Sequence, residues 1–159
     1  MGLIFAHTAI IAQLDPVTIE AGDFYDDDFG EVKKVDGDAD GIGETQRKEK
    51  ASVSVPVQME TDQFELRRMV AGGDLPDSSV GLVVHRRDLN RLGFMSNGAP
   101  VFKKGDRLIE VQDKLGNVHT SFTRIPVYCT QVQPLRGTIG RMQNLWLILF
   151  ADRARGANA

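Results

Sequence analysis

A run of alternating aspartates is the feature of this sequence that comes nearest to a metal-binding motif. Asp36, Asp38 and Asp40 are followed by a glycine, as in the first half of a calcium-binding EF-hand loop. Alternate carboxylates in such a loop converge on one hard cation, but the position that should carry a bidentate Glu holds Arg47. A solvated acidic loop is therefore the favoured interpretation, and we predict no resident metal or cofactor. The calcium candidates that remain are Asp36, Asp38, Asp40 and Glu44.

A second acidic cluster lies upstream, where Asp26, Asp27 and Asp28 precede Glu31. Carboxylates this close together form either a second cation site or a like-charge cluster whose pKa values are raised. An exposed acidic face explains the same residues without any ligand. We predict the exposed face.

The residue types that usually carry catalysis are scattered along the chain. His7, His85 and His119 are far apart and fit no metal-binding spacing, and the local pair of His85 with Asp88 has no nucleophile elbow beside it. Cys129 lies in a β-rich run between apolar neighbours, which favours a buried and inert thiol. We predict that the protein is not an enzyme.

Three pairs of basic residues are the remaining charged motifs. They are Arg67-Arg68, Arg86-Arg87 and Lys103-Lys104, and they fall on separate predicted elements. Solvated surface is the default interpretation of each pair. The alternative is one patch that binds nucleic acid or an acidic protein.

The composition of the whole chain is ordinary for a globular protein. Its 159 residues are 42% hydrophobic and 26% charged, which excludes collagen-like, coiled-coil and wholly disordered classes and predicts a single domain. One cysteine excludes an intrachain disulfide and favours a reducing compartment. The uncharged stretch 2–14 is too short to span a bilayer and lacks a basic leader, so we expect a soluble protein without a membrane partner.

The net charge of −3 conceals a strong polarity along the chain. Residues 1–44 hold 11 acidic and 2 basic residues, a net −9, whereas residues 45–159 hold 17 basic and 11 acidic residues, a net +6. Such a distribution favours a charged partner or self-assembly.

Most of the acidic charge falls in a long segment, residues 22–50, that is poor in apolar residues. A segment of this kind cannot bury enough surface to offset its ordering entropy alone, so we predict a loop insertion that a partner orders. The interface candidates within it are Phe24, Tyr25, Asp26, Asp27, Asp28, Phe29, Lys33, Lys34, Arg47 and Lys48.

The rest of the chain predicts short strands separated by turns. Residues 51–60 alternate between apolar and polar types, and Pro56 among them indicates an edge strand or an edge segment. Residues 145–150 are continuously apolar, as in a strand buried on both faces. Further strands are predicted within 3–14, 80–85, 107–112, 118–125 and 127–133, and a short buried helix is the alternative over 3–14. Helical turns ended by Gly93 are predicted over 86–92, and a turn at Asn97-Gly98.

Residues 64–70 fit two patterns. Phe64, Leu66 and Val70 alternate with charged residues as in a strand, whereas Asp62 and Glu65 form a helix-capping box. We predict a strand.

Taken together, the predicted elements indicate a mainly β protein, a small barrel or sandwich with a long acidic loop insertion and at most short helices. Its predicted organisation is a single domain 1–159 with a β core over about 1–21 and 51–151, the insertion 22–50 and a short tail 152–159.

The order of these pieces resembles the small neck proteins of tailed bacteriophages, the head–tail connector or head-completion (stopper) family. The resemblance runs from about residue 22 to residue 153 and is carried by five stretches. They are GDFYDDDFGEV, SVSVPVQME, GDLPDSSVGLVVHRRDLNRLGF, GAPVFKKGDRLIEVQDKLGN and PVYCTQVQPLRGTIGRMQNLWLILFADR.

The resemblance implies a β-barrel protein of the virion, made in the host cytoplasm and placed at the head–tail interface. It implies a homo-oligomeric ring between portal or adaptor and tail proteins, with genome DNA passing through the lumen. The acidic segment 22–50 stands where such a protein carries a loop that contacts neighbouring rings or closes the channel. Adaptor, tail-terminator and minor capsid roles are alternatives in the same virion, and a nucleic-acid-binding β-barrel module is the alternative outside it.

Overall fold

The structure, a computed structural model, is built mainly of short antiparallel strands. It describes residues 7–15, 24–26, 31–33, 45–46, 48–70, 79–135 and 144–152. Its strands are, in chain order, β1 (His7–Ala12), β2 (Leu14–Asp15), β3 (Phe24–Asp26), β4 (Glu31–Lys33), β5 (Thr45–Gln46), β6 (Lys48–Glu49), β7 (Val53–Glu60), β8 (Val80–His85), β9 (Met95–Ser96), β10 (Ala99–Pro100), β11 (Arg107–Gln112), β12 (Val118–Ser121), β13 (Val127–Pro134) and β14 (Leu145–Asp152). The helices within these residues are α1 (Gln63–Met69) and α2 (Arg86–Leu92).

Six strands pair in an antiparallel cycle that nearly closes the large sheet into a ring. The order is β1-β7-β8-β14-β13-β11, and β11 pairs back with β1. The junction between β11 and β13 is short, with two residue pairs, and β12 pairs with the remainder of that edge of β11. The predicted mainly β fold is confirmed, and the cyclic pairing makes it a small barrel.

The interior of the barrel is filled by the alternate apolar residues of its strands. On β7, for example, Val55 and Val57 are fully buried, while Val53 and Met59 pack against the same core. Side chains on a strand point alternately to opposite faces, so this alternation selects the inward face. The buried members of the core are Ala9, Ile11, Val55, Val57, Val80, Leu82, Val84, Leu89, Phe102, Leu108, Val111, Val127, Cys129, Ile148 and Phe150.

Among the described strands, the half of β7 that holds Pro56 has one neighbour, β1. Residues 53–57 pair with β1, with Pro56 opposite Thr8, and residues 58–60 pair with β8. The strand as a whole lies inside the sheet, so the edge-strand interpretation is wrong. The alternative, an edge segment that tolerates the missing N–H of proline, is confirmed.

A second, smaller core lies outside the barrel wall, under α1. Leu66 and Val70, one helical turn apart, pack against Val83, Leu147 and Leu149 on the outer faces of β8 and β14. Both faces of β14 are therefore buried, as its continuous apolar run predicted.

The strand predicted over residues 64–70 is wrong, because these residues form α1. The Asp62 side chain accepts a hydrogen bond from the backbone N–H of Phe64 at 2.9 Å and caps the helix. In a strand, Phe64 and Leu66 would lie on the same buried face, but Phe64 is 68% exposed.

Within the described residues, no helix has the length and apolar character required to cross a membrane.

The helix α2 covers one end of the barrel. Its Leu89 is fully buried in the main core, and Phe94 and Phe102 pack beside it with ring centroids 5.5 Å apart. Gly93 ends the helix with a φ of 80°. This confirms the predicted helical turns and their glycine stop, and a turn at Asn97-Gly98 joins β9 to β10 as predicted.

Within the acidic segment 22–50, four short strands are described for which the sequence predicted none. The strands β3, β4 and β5 pair in order into a separate antiparallel sheet. The strand β6 instead pairs with β2, directly beyond β1. The segment therefore leaves the barrel and returns to it at neighbouring residues.

Candidate interaction surfaces

The root of the acidic segment is fixed to the barrel by backbone and ionic contacts. The pairing of β2 with β6 sets Leu14 opposite Glu49 and Asp15 opposite Lys48. The Arg107 guanidinium, at the start of β11, donates to the Glu49 carboxylate at 3.2 Å, and both side chains are partly buried. An ion pair of this kind is less screened by salt than an exposed one. The two ends of the segment between Asp15 and Lys48 are therefore joined to each other and to the barrel.

A buried aspartate holds the neighbouring turn in place. Asp106 is fully buried and accepts hydrogen bonds from the backbone N–H of Leu14 at 2.8 Å and of Lys103 at 2.9 Å. Its own backbone carbonyl accepts from the N–H of Cys129 at 2.7 Å. Asp106 thus joins the turn before β11, the strand β13 and the root of the acidic segment.

Basic residues gather at the end of the barrel that carries this root. The strands β1, β8 and β13 end there and β7, β11 and β14 begin there, as their antiparallel registers require. We call this the cationic end and define it by Lys50, Arg86, Arg87 and Lys103. No described acidic side chain forms an ion pair with any of the four, and all but the half-buried Arg86 are exposed.

The acidic residues at the same end are already engaged. Asp15 lies 3.7 Å from Lys48, Asp88 lies 3.5 Å from Arg91, and Glu49 and Asp106 make the contacts described above. Within the part of the chain that the structure describes, the four residues of the cationic end therefore have no acidic partner. Such a surface attracts an anionic partner.

Two of these arginines line a shallow cleft. It has a volume of about 260 Å³ and lies between the start of α2 and the residue before β14. The His85 side chain caps α2 by accepting from the N–H of Arg87 at 3.0 Å. The Nδ1 atom of His85 therefore serves as a helix cap. The cleft is lined by His85, Arg86, Arg87, Asn90 and Asn144, all of them able to donate hydrogen bonds to an anion.

The opposite end of the barrel carries a more apolar opening. The strands β12 and β13 follow one another along β11, and β14 ends at Asp152, opposite Val127. A cleft of about 530 Å³ opens there, and Ile125 beside it is 63% exposed. It is lined mainly by Val80, Phe122, Ile125 and Val127, together with Arg124 and Asp152.

The histidines and the cysteine form no metal site among the described residues. The rings of His7 and His119 pack edge to face with centroids 4.8 Å apart, and no described group of three or more His, Cys, Asp or Glu side chains is placed to hold an ion. Cys129 is fully buried, and burial, with a smaller effect of the Asp106 carboxylate, raises the pKa of its thiol to about 12. The predicted burial of the thiol is confirmed, and its inertness stays a prediction.

We expect Cys129 to react with a thiol reagent such as DTNB only when the protein unfolds. The thiolate is the reactive form, and the raised pKa keeps the folded thiol protonated at about pH 8. The raised pKa also makes stability depend on pH. Below the ordinary pKa of 9.0 the thiol is protonated in both the folded and the unfolded chain, and titration of the thiol takes nothing from the free energy of unfolding. As pH rises from 9 toward 12 the unfolded chain loses this proton first, so the free energy of unfolding falls. Labelling rates with and without denaturant test this, and rapid labelling of the folded protein would contradict it.

The structure describes part of the set of interface candidates. Phe24, Tyr25 and Asp26 lie on β3, Lys33 lies on β4, and Lys48 is exposed on β6. The other candidates, Asp27, Asp28, Phe29, Lys34 and Arg47, lie outside the described residues, as do the calcium candidates Asp36, Asp38, Asp40 and Glu44.

Sequence reasoning missed the contacts that anchor the acidic segment. Arg107 was assigned only to the predicted strand 107–112 and Asp106 to no element, although an Asp directly after a glycine is a residue type that commonly bonds nearby backbone N–H groups. The partners, Leu14 and Glu49, are far away along the chain, and no local pattern indicates them.

No protein-family model, curated protein or solved structure matches the chain.

Proposed function

We propose that this chain is a non-enzymatic structural protein of the neck of a tailed bacteriophage. Copies of it form a ring that joins the DNA-filled head to the tail, completes the head and supports tail attachment. The proposal rests on the sequence resemblance described above and on the form of the barrel.

The anchored root of the acidic segment is the observation that carries the proposal. A rigid barrel holds both ends of a 32-residue excursion, residues 16–47, through the β2–β6 pairing and the Glu49–Arg107 ion pair. An excursion fixed in this way can reach a neighbouring subunit while the barrel keeps its own core. The excursion carries 10 acidic and 3 basic residues, opposite in sign to the cationic end. Two different, complementary surfaces on one subunit are what a closed head-to-tail ring requires.

We expect particles that lack this protein to have filled or leaking heads without tails. The reason is that no ring then closes the head or presents a surface for the tail. Electron microscopy of particles from cells infected with a phage deleted for the gene makes the measurement, and supplying the protein from a plasmid should restore tails. Normal tailed, infectious particles without the protein would rule out the proposal.

A nucleic-acid-binding barrel is the second candidate, favoured by the residues of the cationic end, which pair with no described acidic side chain. Contacts between basic side chains and phosphates release counterions, so such binding weakens steeply as salt rises. A gel-shift titration with a DNA duplex at several salt concentrations tests it. Absence of binding at low ionic strength would remove this candidate.

A further inference from the structure

We propose that the cleft at the start of α2 binds a phosphate group of a nucleic-acid backbone. The inference rests on the second candidate function above and names its site, and the neck function does not depend on it. We call this the arginine cleft and define it by its lining residues, His85, Arg86, Arg87, Asn90 and Asn144.

Backbone contacts fix the walls of the arginine cleft. The N–H of Arg86 donates to the carbonyl of Asn144 at 2.7 Å and joins the first residue of α2 to the residue before β14. In the strands below, His85 lies opposite Leu145, and the His85 Nδ1 accepts from the N–H of Arg87 at 3.0 Å. None of these contacts uses the side chain of an arginine or an asparagine. The framework therefore stands without those side chains, and they are the groups that can meet a ligand.

The cleft is rich in hydrogen-bond donors, and no carboxylate lines it. Each guanidinium carries five N–H donors in a planar fork, and each asparagine amide adds two. Asp88, the acidic residue nearest in sequence, is buried and lies 3.5 Å from the Arg91 guanidinium. Arg86 is half-buried and has no ion pair with a described acidic side chain. An anion in the cleft would supply the counter-charge.

A phosphate group matches these donors better than a carboxylate does. Donors line the cleft on the α2 side, from Arg86, Arg87 and Asn90, and on the β14 side, from Asn144. A carboxylate presents two oxygens in one plane, whereas a phosphate presents its oxygens in tetrahedral directions. A phosphate can therefore accept bidentate bonds from a guanidinium and a further bond from the opposite wall.

The size of the cleft favours a phosphate that belongs to a long polymer. Its volume of about 260 Å³ lies below the range of about 300–1,000 Å³ that is usual for pockets that enclose small ligands. A nucleic-acid strand repeats its phosphates about every 3.4 Å along the helix axis, so the neighbours of a bound phosphate can reach further cations. Exposed Lys50 and Lys103, at the same end of the barrel, are such cations.

The test is binding of a dye-labelled DNA duplex to the full chain, followed by fluorescence anisotropy at several salt concentrations. Arg86→Gln/Arg87→Gln should weaken binding about tenfold at low salt, equally for duplexes of unrelated sequence, because phosphate contacts carry no sequence information. The slope of log K against log salt should become shallower by about 1, the effect of one lost phosphate contact. The control Lys114→Gln/Arg124→Gln removes two exposed cations at the opposite end and should leave affinity and slope unchanged.

Two matched pairs separate the cleft from the general charge of this end. Arg87→Gln, in the cleft, should weaken binding several-fold more than Lys103→Gln, which removes an exposed cation outside it. Asn144→Asp places a negative charge in the cleft at unchanged size and should weaken binding about tenfold, whereas Asn117→Asp in the β11–β12 turn should not. The melting temperature of each variant shows that a loss of binding is not a loss of folding.

Equal effects of Arg87→Gln and Lys103→Gln, or unchanged binding by the double arginine variant, overturn the proposed site and leave nucleic-acid binding standing. A wild-type chain that binds no duplex at low salt overturns both. Poly-glutamate that binds more tightly than the duplex would assign the cleft to an acidic protein. Inorganic phosphate that binds as tightly as the duplex would assign it to a free phosphate ion. Each of these two results overturns the proposal, and the neck function is decided separately, in particles.

Discussion

Replacement of Asp106 by alanine is expected to lower the free energy of unfolding by about 2–5 kcal/mol. The Asp106 carboxylate is fully buried and accepts from the backbone N–H groups of Leu14 and Lys103. Alanine leaves two donors without this acceptor, the Leu14 N–H in a buried contact and the Lys103 N–H in a part-buried one. The cost is the desolvation of those groups as well as the lost bonds.

A second aspartate in the chain supplies a matched control. Asp113 also accepts two backbone N–H groups, from Leu115 at 2.8 Å and Asn117 at 3.0 Å, but these bonds are exposed in the β11–β12 turn. Water replaces them when the side chain is removed, so Asp113→Ala should cost only about 0.5–1.5 kcal/mol. Urea unfolding of both variants, followed by tryptophan fluorescence of Trp146, measures the difference. Equal losses for the two would show that burial of Asp106 contributes nothing.

The Asp106 turn also connects stability to the cationic end. The same carboxylate fixes Lys103 at the cationic end and Leu14 at the root of the acidic excursion. Asp106→Asn keeps the size of the side chain but turns one acceptor into a donor, so one backbone N–H still loses its partner. We expect this variant to fall between Asp106→Ala and the wild type in stability.

The strands that build the barrel were predictable because their patterns are local. The alternation over residues 51–60 and the continuous apolar run over residues 145–150 each record which faces are buried, and the structure buries those faces. Gly93 and the Asn97-Gly98 turn were predictable for a similar reason, since a positive φ selects a few residue types. Local rules of this kind establish the fold class but not which strands become neighbours.

The helix α1 was mispredicted because a seven-residue stretch fits two periods at once. Leu66 and Val70 are four residues apart, a spacing that places them on one face of a strand and on one face of a helix. What decides between the two is the docking surface, the outer faces of β8 and β14, and that surface exists only in the folded barrel. The contacts of Asp106 with Leu14 and of Arg107 with Glu49 escaped prediction for the same reason, as both join distant parts of the chain.

Gly81 is the residue that permits α1 to dock, and Gly81→Ala is expected to cost about 1–3 kcal/mol. A β-carbon on Gly81 would overlap the Leu66 side chain and lie 3.2 Å from a methyl group of Leu147. A glycine inside a strand often marks such a close approach. In an open strand the same change would relieve the entropic disadvantage of glycine, so a loss of stability here reports the helix above it.

A double-mutant cycle isolates that contact. Leu66→Ala alone should destabilise by about 2–5 kcal/mol, because it leaves a cavity under α1. In the double variant the new methyl group of residue 81 enters the space that Leu66 vacated, so the loss should be smaller than the sum of the two single losses by about 1 kcal/mol or more. Thermal unfolding followed by circular dichroism gives all four values. Strict additivity would mean that the helix shifts freely over the sheet, and the close approach at Gly81 would then play no part in holding α1 against the barrel.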